Sequence, residues 1–322
     1  MTGRACLSPD SSASANVVVE LAYPEQTPVA TCHWRWVANV LALRGHPGYW
    51  ERLGLAWGVR WTGGDVLFGS MTWPDVLARA TGIAVAIRTF PTAQDAWRAE
   101  CALAARGTPL IVELDGFHLP GPAAPVDFYP GLDAAASGLP TDHVVKAVLV
   151  MWRGRGTVRV FDGLRAVDLT IGDYEQARSA PCHGRAEPFK LYALMRGPRR
   201  QVSPERLLDL VRQHLRSSHT DSQGALAAYT RRVEKTDRRI DVCRVAGERY
   251  QAARLFEYLA DEGVSEARVP ASLFAELTDA WYMLHVLAMH ESAAQPRQRR
   301  RLVRLLEQLA DKESTVAEAV LA

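Results

Sequence analysis

Apolar positions along the chain recur with two different periods, and the change between them falls near residue 200. Upstream, short runs alternate or are continuously apolar: 16–23 (NVVVELAY), 83–87 and 110–114 read as strands. Residues 143–152 and 157–161 read as two more, joined as a hairpin by the turn at 153–156. Helical spacing interrupts them. Trp36, Val40 and Leu43 recur behind Thr31-Cys32, with Thr31 placed to cap and Gly45 to stop the helix. Short helices are predicted over 73–80 and 174–179, and a longer one over 93–106 behind the cap Thr92. Downstream the strand signals vanish. Ser203-Pro204-Glu205 is a helix start, and Leu255/Leu259, Phe274/Leu277/Trp281/Leu284 and Leu302/Leu305/Leu306/Leu309 are helical stripes. The pattern predicts an α+β domain over 1–200 and an all-helical domain over 201–322, the second shaping a substrate entrance or a dimer contact.

Charge narrows the function classes. Among 322 residues, 38 basic and 36 acidic side chains leave +2, too little for a protein whose work is coating nucleic acid. No apolar run approaches the roughly 18 residues a membrane span needs, and residues 1–15 lack a secretory apolar stretch. The expectation is a cytoplasmic protein without nucleic-acid or membrane partners. Its five cysteines contain no C-x-x-C pair, and glycine-rich phosphate loops and metal-ligand spacings are missing, so neither cofactor nor metal is expected.

One cysteine stands apart. Cys32 sits at a predicted helix N-terminus, where unpaired N–H groups and the positive dipole end favour the thiolate. Gln26 lies six residues upstream, the spacing at which papain-like thiol hydrolases place an oxyanion donor. The base is then expected on a later strand, and His143 opens one. The acid is expected on the next strand: Asp162, with Asp168 a rival on hairpin geometry. Asp115 and His118, in the loop after strand 110–114, read as acceptor-binding groups, or Asp115 as a turn cap. Cys182-His183 is a second thiol–imidazole pair, disfavoured because neighbours on an extended chain point to opposite faces. Arg297, Arg299, Arg300, Arg301 and Arg304 form a basic cluster that reads as a surface for an acidic carrier protein or as a solvated helix face.

Several blocks together resemble the N-terminal domain of the butirosin biosynthesis protein H family. They are Thr31-Cys32-His33-Trp34 with Ala38-Asn39-Val40-Leu41 and Gly45-His46, then Gly107 to Asp115 with Leu119-Pro120. Asp142-His143-Val144-Val145 with Val158 to Asp162 follow, and Leu169-Thr170, Tyr174-Glu175 and Ala177-Arg178 close the domain. The resemblance spans about residues 20 to 195. It implies a papain-like cysteine-protease-type fold, Cys32 as nucleophile and His143 as base. It also implies acyl transfer from a carrier-protein phosphopantetheine thioester to a small-molecule amine (or hydroxyl), in antibiotic-type biosynthesis. Chain release or cyclisation is a variant of that chemistry. The alternatives are a cysteine peptidase or amidase and a non-catalytic carrier-binding scaffold.

Overall fold

The computed structural model describes residues 32–43, 47–106, 108–121, 138–153, 156–162, 165–185, 187, 189–194, 202–236, 240–290 and 295–322. The architecture is α+β with antiparallel sheets and a helical C-terminal region. The strand expected over 16–23, the cap Thr31 and the stop Gly45 lie outside the described residues.

In chain order, α1 (Cys32–Leu43) leads through a 3₁₀ segment (Pro47–Leu53) to a small hairpin, β1 (Val59–Trp61) and β2 (Leu67–Gly69). Next come α2 (Trp73–Thr81), β3 (Val85–Arg88), α3 (Ala93–Ala104) and β4 (Leu110–Asp115). Then follow β5 (Val145–Arg153), β6 (Thr157–Asp162), β7 (Arg165–Thr170), α4 (Ile171–Ser179) and β8 (Leu191–Leu194). Strands β3 to β8 form one antiparallel sheet in the order β3-β8-β4-β5-β6-β7. Four short strands escape sequence reading. β1 and β2 have three residues each and β8 four, too few for a period to show, and β7 carries Arg165, Asp168 and Thr170 among its apolar positions.

Alternation sorts the sheet into two faces. Leu110, Val112, Leu114, Val148, Val150, Val158, Val160, Leu191 and Ala193 bury one face, with Leu103 of α3 and Tyr174 and Ala177 of α4. Ile111, Leu149, Phe161 and Leu194 face the other way, into the core that also holds Trp36, Val37, Val40 and Leu41 of α1. Thr-x-x-Asp boxes open α2, α3 and α4: Thr72, Thr92 and Thr170 each accept from the aspartate N–H three residues on. Under α3, buried Glu100 accepts from Tyr174 Oη (2.7 Å) and Arg178 Nε (3.1 Å). Arg178 also donates to the carbonyls of Glu113 and Lys190, so one guanidinium ties α4 to β4 and to the approach to β8.

Four long helices follow: α5 (Pro204–Lys235), α6 (Cys243–Asp261), α7 (Arg268–Met289) and α8 (Pro296–Leu321). Among the described residues no strand lies beyond Leu194, and no helix is long and apolar enough to cross a membrane. The apolar core runs across residue 200, because residues 50–77 pack into the same cluster as α5 to α8. Gly54 makes this approach possible: a Cβ there would fall 2.4 Å from the Gln251 carbonyl oxygen of α6. Trp57 meets Phe274 of α7 edge-on at 4.9 Å and donates its indole N–H to Glu313 of α8 at 2.7 Å. Trp281 Nε1 and Arg249 Nε also donate to Glu313, each at 2.7 Å, so one buried carboxylate joins the N-terminal segment to three helices.

Candidate active site

Parity places the chemistry. Asp115, the last residue of β4, shares the register parity of Ile111, on the face where α1 packs. Its direct partner across the β4–β5 ladder is Val145, and His143 stands two residues before that, on the same parity as Leu149. Backbone bonds hold the junction: Gly116 N donates to Val144 O (2.9 Å), His183 N to His143 O (2.7 Å) and Val145 N to His183 O (2.8 Å).

Asp115 is fully buried and divides its carboxylate between two tasks. Oδ1 accepts from Phe117 N at 3.1 Å and caps the single 3₁₀ turn Gly116–His118. Oδ2 lies 2.6 Å from His143 Nδ1. A carboxylate only accepts, so Nδ1 carries the proton of this charge-assisted bond and the basic lone pair of the neutral ring is on Nε2. Phe117 stacks on the imidazole at 4.3 Å and 23° while remaining 48% exposed. His118 reaches the same carboxylate more loosely, Nε2 to Oδ2 3.7 Å. The His143 and His118 side chains are 20% and 17% exposed, so the dyad is open to a substrate on its imidazole side only.

Among the described residues the carboxylate against His143 is Asp115, expected from sequence to bind the acceptor or cap a turn, with Asp162 expected as the acid. The hairpin expected to bring Asp162 to His143 is shifted in register by one residue. Facing positions of the β5–β6 hairpin sum to 310, as in Leu149 and Phe161, where a symmetric turn on Gly154-Arg155 gives 309. That slip sets Asp162 level with Val148, on the opposite parity from His143 and five residues along. The Asp162 side chain lies outside the described set. Asp168, the rival, makes a forked pair with Arg159 (2.7 and 2.6 Å) at the sheet surface. The alternative reading of Asp115 as a turn cap holds at the same time, through its other oxygen.

Cys32 is the first residue of α1, as its cap signal predicts; its side chain and the whole of Gln26 lie outside the described set. Cys243, half-buried, also begins a helix, α6, but that helix lies in the C-terminal region, and among the described residues no hydrogen-bonded histidine–carboxylate pair like Asp115–His143 accompanies it. Burial pushes the Cys182 thiol up to about 11, and His183 donates Nε2–H to the Pro140 carbonyl at 3.0 Å, a structural use of its ring. Cys101, on α3, is disulfide-bonded. A serine–histidine pair also occurs, Ser70 Oγ to His214 Nε2 at 2.8 Å, but Ser70 gives its hydroxyl proton to Trp57 O, so the imidazole is a donor and not a base there.

The fold also creates a cluster that sequence spacing does not reveal: Asp115, His118 and His143 offer donor atoms within 4.8 Å of one another. Two ligands at about 2.0–2.1 Å from a tetrahedral zinc stand roughly 3.3 Å apart. The 2.6 Å contact is tighter than that and is a short, charge-assisted hydrogen bond. The three side chains as they stand fit a hydrogen-bonded dyad with a flanking imidazole better than an open metal site. Neither a family model nor a characterised protein matches this chain.

Proposed function

We propose that the chain is a cysteine acyltransferase on a papain-like fold, working on an acyl thioester held by the phosphopantetheine arm of a carrier protein. The observation that carries this reading is the Asp115–His143 dyad, with Nε2 directed away from its acid, on the sheet face covered by the helix that Cys32 begins. In this reading His143 Nε2 takes the Cys32 thiol proton, and the thiolate attacks the thioester carbonyl. Gln26 and the Cys32 N–H hold the oxyanion. The carrier thiolate leaves with the proton returned by His143, and an acyl-enzyme remains. An amine acceptor loses its proton to His143 as it attacks, giving an amide and the free Cys32 thiol. Asp115 keeps the imidazole in the tautomer this sequence of proton transfers needs. The thioester is already activated, so the reaction requires no cofactor, and carrier-bound substrates place it in the cytoplasm.

Mixing the protein with an acylated carrier should add the acyl mass to Cys32, and a suitable amine should discharge it faster than water. Cys32→Ala should give no adduct. Discharge to free acid alone, whatever the amine, would make the protein a hydrolase; no adduct together with peptide cleavage would make it a peptidase. A second reading rests on the Asp115–His118–His143 cluster: a metal site. Cobalt titration with visible absorption separates the two, since a tetrahedral cobalt band lost in His118→Ala would favour the metal.

A further inference from the structure

The far end of the helical region carries a concentration of charge that the proposed reaction does not use. α5 and α8 run antiparallel, fixed by Arg212 Nε donating to Val320 O and Gln223 Nε2 to Ser314 Oγ, both at 2.8 Å. Continuing that register sets the last turn of α5 beside the first turns of α8. Arg231 and Lys235 thus join Arg297, Arg300, Arg301 and Arg304 in one patch. All six are exposed, and none makes an ion pair or a side-chain hydrogen bond among the described residues. Arg299, between them, is buried instead and acts electrostatically on Tyr229 of α5, which confirms that the two helix ends are adjacent.

Two features make this more than a solvated helix face. Four of the arginines lie in the opening turns of α8, where the dipole is positive and acids, not bases, are favoured. The chain as a whole is only +2, and even with exposed Glu234 and Glu307 of the same turns counted against its six cations the patch keeps +4, a local excess rather than a reflection of composition. We propose that this end of the α5–α8 pair is the docking surface for an acidic carrier protein, a role that rests on the acyl-transfer reading. Nucleic acid fits less well, because none of the large exposed apolar side chains (Ile87, Phe117, Val269, Met283, Val286) stands in the patch to stack a base. A membrane surface fits less well because the apolar stripe of α8 (Leu302, Leu306, Leu309) is buried in the core.

The test compares two acyl donors, one on a phosphopantetheinylated acyl carrier protein and one on N-acetylcysteamine, with wild type and the triple variant R300E/R301E/R304E. The variant should lose about tenfold or more in kcat/KM with the carrier-bound donor, and the small thioester should react within twofold of wild type. Binding of the carrier to Cys32→Ala protein, followed by fluorescence anisotropy, should weaken steeply from 50 to 300 mM salt (roughly a Debye-length effect), and charge reversal should abolish most of that slope. Carrier binding that ignores both salt and charge reversal would overturn the proposal. So would tighter binding of a single-stranded oligonucleotide or of anionic vesicles through the same arginines. If the carrier binds through the patch but neither thioester reacts, docking stands and acyl transfer falls; if the small thioester reacts and the carrier does not bind, the reverse holds.

Discussion

Asp115 and Glu313 are both carboxylates withdrawn from water, and each accepts short hydrogen bonds, yet they sit in regions built for different ends. Glu313 receives Trp57, Trp281 and Arg249, whose bonding groups terminate on it inside the helical core. Asp115 receives Phe117 N and His143 Nδ1, and the histidine passes through to a second nitrogen on a partly exposed edge. Burial and pairing alone do not separate the two. What distinguishes them is whether the partner has a further proton site that a substrate can reach.

The largest effect should come from the structural side. Glu313→Gln keeps the shape but leaves the Arg249 guanidinium, 1% exposed, without its counter-charge. Breaking one partner of a buried pair costs about 3–5 kcal/mol, and denaturant unfolding should show it, with adduct formation per folded molecule unchanged. His143→Ala should do the opposite: adduct formation on Cys32 slowed by about 10² to 10⁴, the unfolding midpoint almost unmoved. Mass spectrometry against time separates the two behaviours.

A third carboxylate sharpens the contrast. Glu248 is buried with Oε2 unpartnered, pressed on Gly69, and burial pushes its carboxyl up to about 8 despite Arg244, Arg249 and Arg60 nearby. Its pKa is higher folded than unfolded, so the native state binds the extra proton between pH 4.5 and about 8. Stability should fall as pH rises through that window and level off above it. Glu248→Gln should match wild type in Tm near pH 5 and exceed it near pH 8.5; a constant difference would contradict the assignment. The smallest effect belongs to Phe117. Removing the stacked ring with Phe117→Ala should slow the adduct by about two- to tenfold, the scale of one aromatic contact, and Phe117→Tyr should restore the rate.

Much of the frame was legible because it is local. The Thr92 cap, the Ser203-Pro204-Glu205 start and the Leu302/Leu306/Leu309 stripe each follow from a few neighbouring residues, and each stands where read. Of the proposed site, two positions in the fold were legible. His143 at a strand opening and Cys32 at a helix start are local signals too. The acid was not, because the choice among Asp115, Asp162 and Asp168 depends on which strands lie side by side and in what register. Asp115 meets His143 through β4–β5 pairing 28 residues away along the chain, and the β5–β6 register differs by one residue from that of a symmetric turn. A signal was present in Asp115-Gly116, an acid ending a buried apolar strand, but nothing local says which imidazole it will meet.

The most direct measurement is the rate at which Cys32 is alkylated by iodoacetamide at pH 7 in three proteins: wild type, Asp115→Asn and Asp162→Asn, each peptide-mapped. With Asp115 holding His143, its amide variant should label Cys32 at least tenfold more slowly, a loss of about 1.4 kcal/mol in the thiolate–imidazolium pair, while Asp162→Asn labels at the wild-type rate. Slow labelling in Asp162→Asn with Asp115→Asn unaffected would contradict the dyad and return the acid to the hairpin.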